Sequence, residues 1–234
     1  MVHSWFLVAA VLACACASSP TPQSIVSSAL NRQGGELQIS RLTGLKRVGT
    51  MVAFGPHGRS EGTYETCVIY PSVAMVSISA GSIFVLEGLC KGKSISCPEP
   101  SFCTPASPEK AEELAKTATE ANRELLFERS RWSWAATAED NTDFWTIRAS
   151  DTREGVVVYR FSKTTGLLAS KSRGERSREY LDWRPLGGIR LPFELVDEVE
   201  GRPVFHIKLA RVSMLNDISD CGPTFAPIVA ACQA

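Results

Sequence analysis

The sequence has 234 residues, of which 44% are hydrophobic and 21% charged, a balance typical of a soluble globular protein. Lysine plus arginine and aspartate plus glutamate both total 25, so no basic excess is present to neutralise the phosphates of a nucleic acid. Nucleic acid is therefore not expected as a partner, and a chain of this length buries a real core without needing disulfides.

The N-terminal segment 1–17 is predicted to be a removable leader. The apolar run from Trp5 to Ala13 is too short for a transmembrane helix and fits the hydrophobic region of a signal peptide. Small residues follow the run, as they do before a cleavage site. The mature protein is therefore expected to be exported.

Two cleavage sites are compatible with this leader. An A-x-A site ends at Ala17, whereas the lipobox-like stretch before Cys14 would make Cys14 a lipidated first residue. We favour cleavage before Cys14, with lipidation, and keep cleavage after Ala17 as the alternative. In either case residues 18–23 form a short tether, and residues 24–234 form a single domain because no linker divides them.

Helical and extended patterns follow in turn along the domain. A helix is predicted over Pro22–Gln33, because a first-turn proline precedes apolar residues at helical spacing and two glycines follow. Short β-branched runs separated by turn residues then predict strands as far as residue 87. Residues 89–108 contain three cysteines and four prolines and are predicted to form a loop.

The second half begins with the one long helical signal, residues 105–127. Ser107 and Pro108 have the residue types of an N-cap and a first helical turn. Strand patterns return after it and continue to residue 215. Roughly ten short strands and two helices predict a mainly β, α+β protein with one strongly curved antiparallel sheet or half-open barrel.

The mature chain keeps six cysteines, an even number that an exported protein normally pairs. Fifteen pairings are possible, and spacing alone suggests Cys97 with Cys103, Cys221 with Cys232, and Cys67 with Cys90. No C-x-x-C motif occurs, and the mature chain has two histidines. No metal or cofactor is therefore expected.

Catalytic motifs are missing from the sequence. The tripeptide Gly92-Lys93-Ser94 lacks the glycine of a P-loop, because Glu87 stands in its place. Neither G-x-S-x-G nor H-E-x-x-H occurs, and His57 and His206 are expected to be an ordinary turn residue and an ordinary strand residue. The acidic run 197–200 is predicted to be a solvated hairpin tip. We expect no enzyme, although an uncharacterised hydrolase is an alternative.

Aromatic residues are concentrated in the second half, several of them two positions apart, so that they share one face of a strand. They predict either a packed core or a concave face that lines an apolar pocket. The candidates for this ligand-binding face are Trp132, Trp134, Trp145, Tyr159, Phe161, Trp183, Phe193 and Phe205.

Four stretches resemble the LolA/LolB outer-membrane lipoprotein-sorting family. The run 29–35 is similar to the family's opening, 161–168 resembles its F-D-x-x-T-G-L-L hairpin, and 180–193 resembles its Y-x-D-Y-R-x-v-x-G-v-x-L-P-F segment. Residues 216–227, which follow the last predicted strand, also resemble the end of the family's pattern. The Cys/Pro-rich insert and Ser162, which stands where the family usually has aspartate, depart from the pattern.

This resemblance implies a curved sheet around an apolar cavity with a helical lid. It implies a monomer that carries acyl chains of lipoproteins or lipids in the periplasm or at the periplasmic face of a bacterial membrane. Some relatives sense envelope stress, so a membrane-anchored sensor or protein-binding module is the alternative. No ligand-contact residue transfers from the family, and the aromatic candidates depend on strand alternation alone.

Overall fold

The computed structural model describes residues 20–56, 58–99, 101–120, 137–151 and 155–233. Within these residues the chain forms one antiparallel sheet of thirteen strands. The strands are β1 (Gly44–Gly55), β2 (Gly58–Ile69), β3 (Val73–Ala80), β4 (Ile83–Cys90), β5 (Lys93–Glu99), β6 (Phe102–Pro105), β7 (Thr137–Asp140), β8 (Phe144–Asp151), β9 (Gly155–Ser162), β10 (Leu168–Arg173), β11 (Arg176–Leu186), β12 (Ile189–Val199) and β13 (Arg202–Met214).

The sheet is built outward from a central pair formed by β1 and β13. Its order is β6-β5-β4-β3-β2-β1-β13-β12-β11-β10-β9-β8-β7, so β6 and β7 are the two edges and the sheet is not closed. Together with the few helices, this confirms the predicted mainly β fold with a curved, half-open antiparallel sheet.

Four helices lie among the described residues: α1 (Pro22–Gln33), α2 (Glu36–Ser40), α3 (Pro108–Glu120) and α4 (Ala226–Gln233). Helix α1 has the predicted bounds. The Thr21 hydroxyl accepts a hydrogen bond of 3.2 Å from the Ser24 N–H, and Gly34 ends the helix with a φ of 131° that favours glycine. Ser107 caps α3 in the same way through the Lys110 N–H, at 3.3 Å.

Residues that lie opposite each other in neighbouring strands point to the same side, which defines two faces. The interior face is covered by α1 and α3, as shown by Leu30 of α1 in one buried cluster with Met51 and by Leu114 of α3 against Ala74. The outer face of the first strands is covered by α4. Ile228 of α4 lies so close to Gly88 that a side chain at that position would meet it at 2.9 Å.

The predicted loop at 89–108 is wrong, because most of it forms β5 and β6. Ile95 and Cys97 alternate with exposed or half-buried residues and are themselves buried, as expected for a strand with one covered face. Pro98 lies two residues after Ser96, the last residue of β5 that pairs with β4, and Pro105 ends an edge strand, so neither proline interrupts the sheet.

Two of the three pairings suggested by spacing are also wrong. Within the described residues the disulfides are Cys67–Cys221, Cys90–Cys232 and Cys97–Cys103, so only the last was expected. The first two join positions 154 and 142 residues apart. The sheet order brings the segment after β13 beside β1 and β2, and α4 onto β4, so these cysteines meet only in the folded chain.

Candidate functional site

The interior face collects aromatic side chains from the second half of the sheet. The register carries this face from β8 through β9, β10, β11 and β12 to β13. Five of the candidate aromatic residues share it: Trp145, Tyr159, Phe161, Phe193 and Phe205.

These aromatic rings differ in how accessible they are. Tyr159 and Phe161 are 2% and 0% exposed, whereas Trp145 and Phe205 are half-buried against the same cluster. The Lys163 ammonium lies 4.5 Å from the centre of the Trp145 ring, a distance at which a cation is attracted to the ring face. The interior face therefore has a dry centre and partly accessible margins.

Helix α1 closes one end of this interior. Four apolar side chains on one side of the helix are buried in the same cluster as the aromatic residues: Ile25, Val26, Ala29 and Leu30. At its C-terminal end Gly34 approaches the turn between β11 and β12, and a side chain there would lie 2.5 Å from the Gly188 carbonyl oxygen. This close contact holds the end of the lid against the sheet.

An ion pair lies on the interior face beside Lys171, which the register places opposite both Tyr159 and Arg178. The Arg178 guanidinium donates hydrogen bonds of 2.5 and 2.8 Å to the two carboxylate oxygens of Asp197. Burial opposes the charged form of Arg178, but the hydrogen bonds and charge of Asp197 outweigh it and hold the pKa of Arg178 above its ordinary value. Arg178 thus remains a cation that faces the interior.

Tyr64 and Tyr180 add polar hydroxyl groups beside this ion pair. Both rings are half-buried against the interior cluster, and both contribute to raising the pKa of Arg178. Tyr64 belongs to β2, four strands away from β11, a separation of roughly 19 Å in a flat sheet. The strong curvature of the sheet brings the two sides of the interior together.

Sequence reasoning missed this pair. Asp197 had been assigned to a solvated hairpin tip, but β12 continues to Val199 and the turn follows it. Asp197 lies opposite Arg178 in β11 and Phe205 in β13. The available signal was alternation, since Phe193, Leu195 and Asp197 are two residues apart and therefore share a face.

The remaining aromatic candidates are placed differently. Trp183 lies opposite Pro192 and is half-buried against the interior cluster, and its indole N–H donates a 3.2 Å hydrogen bond to the Tyr180 carbonyl. Trp132 and Trp134 lie outside the described residues, as do His57 and Cys14. The role of all eight aromatic candidates in binding stays a prediction.

The described residues offer little for catalysis. His206 lies on the outer face, where its Nε2 is 2.5 Å from a Glu194 oxygen, with Lys208 3.6 Å from the same oxygen. No group of three or more potential metal ligands occurs within the described part of the chain. Nor does that part contain a helix with both the length and the hydrophobicity to cross a membrane.

A curved open sheet with an interior covered by a helix is an architecture that can enclose an apolar ligand. No family model matches this sequence, and no curated protein does. Solved structures, however, are similar to this chain. The chain is similar to a LolA superfamily protein from Nitrosomonas europaea, with 12% identity, a TM-score of 0.55, and 86% of this chain and 96% of that chain covered.

A second similar structure is an outer-membrane lipoprotein-sorting protein domain from Vibrio parahaemolyticus. It is 9% identical, with a TM-score of 0.54, and the match covers 84% of this chain and 95% of that one. Identities this low show the fold and no more. The chain therefore has a LolA-like fold, as the turn and strand motifs indicated.

Proposed function

We propose that this protein is a non-enzymatic, exported envelope protein that binds acyl chains of lipoproteins or lipids against its interior face. The observation that carries the proposal is the set of five aromatic side chains on one face under α1, with the Arg178–Asp197 ion pair and Lys171 on the same face. A hydrocarbon chain fits the apolar part of this face without leaving polar groups unpaired.

The energetics of such binding are favourable. Each buried methylene contributes about 0.8 kcal/mol, so about ten buried methylenes supply roughly 8 kcal/mol, which corresponds to a Kd of about 1 μM. The Arg178–Asp197 pair and the hydroxyl groups of Tyr64 and Tyr180 lie on the same face. They provide hydrogen-bonding partners for the polar end of the chain.

Binding requires the lid to move, because Tyr159 and Phe161 are buried in the closed structure. Helix α1 is the element that we assign to this motion. It covers the aromatic cluster through one apolar side, and its first two residues, Pro22 and Gln23, are also the last two of the predicted tether 18–23. Displacement of α1 would exchange its own side chains for an acyl chain at little net cost in buried apolar area.

The disulfides support the proposed location. Three disulfides within the described residues indicate an oxidising compartment, such as the bacterial periplasm. The 1–17 leader accounts for export, and lipidation of Cys14 would hold the protein at a membrane. Labelling with radioactive palmitate in the native host tests this, with loss of label in Cys14→Ala expected and equal labelling of both proteins contradicting it.

Uptake of a fluorescent fatty acid by the purified mature protein tests the binding proposal, together with native mass spectrometry for co-purifying lipid. Phe205→Glu places a carboxylate on the half-buried margin of the interior and is expected to weaken uptake by about tenfold or more. Val52→Glu is the matched control, because Val52 is also half-buried but shares the outer face with His206.

The two variants separate acyl binding from a general effect on folding. Both introduce the same charge near the β1–β13 pair, so a similar loss of stability is expected for both. Weaker uptake in Phe205→Glu alone supports the proposal. Absence of any bound lipid in the native protein together with no fatty acid uptake would overturn it.

A further inference from the structure

The interior side of the β10–β11 hairpin is basic along the whole length over which the two strands pair. It consists of two directly opposed pairs of cations, Lys171 with Arg178 and Arg173 with Arg176. Lys171 also lies opposite the buried Tyr159 of β9, which places these side chains on the interior face. We call these four residues the basic row.

The outer side of the same hairpin has the opposite character. There Ser170 lies opposite Glu179, and Ser172 lies opposite Ser177. A sheet with one covered face normally turns its charged residues outward, and like charges directly opposite each other destabilise it. The inward position of four cations therefore calls for an anion inside the sheet that offsets their repulsion.

Asp197 supplies one negative charge but engages only some of the available donors. Its carboxylate accepts hydrogen bonds from Nε and from one Nη of Arg178, whereas a guanidinium has five N–H donors. The other three N–H groups of Arg178 meet no acceptor among the described residues. Arg176 is exposed and makes no ion pair within the described part of the chain. The basic row can therefore bind a further anion.

The basic row faces an enclosed space that water can enter. The Arg178 side chain is 45% exposed, although burial is the largest single influence on its pKa and acts to lower it. Tyr64 of β2, on the far side of the interior, acts on the same pKa and raises it. A side chain that is both accessible and surrounded by protein lines a cavity, where charges interact more strongly than in bulk water.

We propose that the basic row binds the anionic head of a lipid, a carboxylate or a phosphate, while the acyl chain packs against the aromatic side chains of the same face. Arginine matches both kinds of head with paired hydrogen bonds, and lysine adds a further positive charge. The assignment rests on the proposed acyl binding and narrows the ligand to lipids with a negatively charged head.

Titration of the purified mature protein with a fluorescent fatty acid and with its methyl ester tests the proposal. The two probes share the acyl chain and the fluorophore and differ in the charge of the head. The unmodified protein is expected to bind the acid at least about tenfold more tightly than the ester, because only the acid forms charge-assisted hydrogen bonds with arginine.

Lys171→Gln combined with Arg176→Gln removes two cations of the basic row and keeps the Arg178–Asp197 pair. This variant is expected to bind the acid about five- to tenfold more weakly and the ester unchanged, since only the acid interacts with the lost charges. Unchanged binding of the ester also shows that the variant folds.

Arg160→Gln combined with Lys208→Gln is the matched control. It removes the same charge from the outer face, where Arg160 lies opposite Ser170 and Lys208 lies opposite Glu194. Both side chains are exposed. The control is expected to bind both probes like the unmodified protein.

Equal binding of acid and ester by the unmodified protein would overturn this proposal and leave acyl binding in place, as would an unchanged preference for the acid in the Lys171/Arg176 variant. Displacement of the acid by inorganic phosphate at constant ionic strength would also overturn it, because a site for free anions needs no acyl chain. Uptake of neither probe would instead overturn acyl binding itself, and this proposal with it.

Discussion

The first half of the sheet has buried clusters on both faces, whereas the main cluster of the second half lies on the interior face. In the first half, β1–β6, a buried cluster lies on the outer face beneath α4, and it contains five of the six disulfide cysteines. The interior cluster lies beneath α1 and joins aromatic and aliphatic side chains of the second half, β7–β13, to Met51 and Ala53 of β1. No cysteine lies between residues 137 and 214.

This difference assigns separate roles to the halves. The first half is therefore held by an outer core and disulfides in addition to its share of the interior cluster. The second half depends mainly on what fills the interior, which is α1 in the closed structure. A ligand that replaces α1 is therefore expected to change the second half more than the first.

The largest expected effect concerns the disulfides of the first half. Loss of Cys67–Cys221, which closes a loop of 154 residues, is expected to destabilise the protein by about 5 kcal/mol. Loss of Cys97–Cys103, with a separation of 6, should cost about 2.2 kcal/mol by the same relation. Denaturant unfolding of the two double Cys→Ala variants, one for each disulfide, measures both values. Equal destabilisation would contradict the expectation that the long-range disulfide stabilises the fold more.

The next prediction compares two fully buried phenylalanines, one in each half. Phe161→Ala and Phe225→Ala are each expected to cost about 3–5 kcal/mol, because both rings are 0% exposed. Only Phe161 lies on the interior face, whereas Phe225 belongs to the outer cluster. Fatty acid uptake, measured below the melting temperature of both variants, should change in Phe161→Ala alone. The same change in both would remove the functional distinction between the halves.

The smallest expected effects concern ion pairs. Lys46 is 15% exposed, lies 2.8 Å from Glu65 and donates a 2.6 Å hydrogen bond to the Cys221 carbonyl. Lys46→Ala is expected to cost about 2 kcal/mol, because it leaves a half-buried carboxylate and a carbonyl without this partner.

Arg148→Ala provides the comparison in the second half. The Arg148–Glu139 pair is about half exposed on both sides and is expected to contribute less than about 1 kcal/mol. Thermal unfolding of the two variants under the same conditions gives the difference. A larger loss in Arg148→Ala than in Lys46→Ala would show that the first half is not the more tightly held one.

Local chemistry in the sequence predicted much of this fold. Helix α1 was predictable because Pro22 and Gly34 mark its two ends, and each does so through its own backbone conformation. The turn at 162–167 was also predictable. Ser162, which departs from the family pattern, accepts a 3.2 Å hydrogen bond from the Thr165 N–H, the kind of bond that aspartate also makes in a turn.

Contacts between distant segments were not predictable in this way. The long-range disulfides depend on the position of β13 and α4 relative to β2 and β4, which no spacing in the sequence encodes. The aromatic candidates on the interior face were found by alternation, and Trp183, which the register places opposite Pro192, also packs against the interior cluster.

Photoaffinity labelling with palmitic acid that carries a terminal diazirine tests the central claim most directly. After irradiation of the purified mature protein, peptide mapping by mass spectrometry locates the attached chain. Labels are expected on interior-facing residues of β9, β12 and β13, such as Tyr159, Phe193 and Phe205, and excess unlabelled palmitate is expected to remove them. Labels confined to outer-face residues such as Val52 and Leu181 would contradict it.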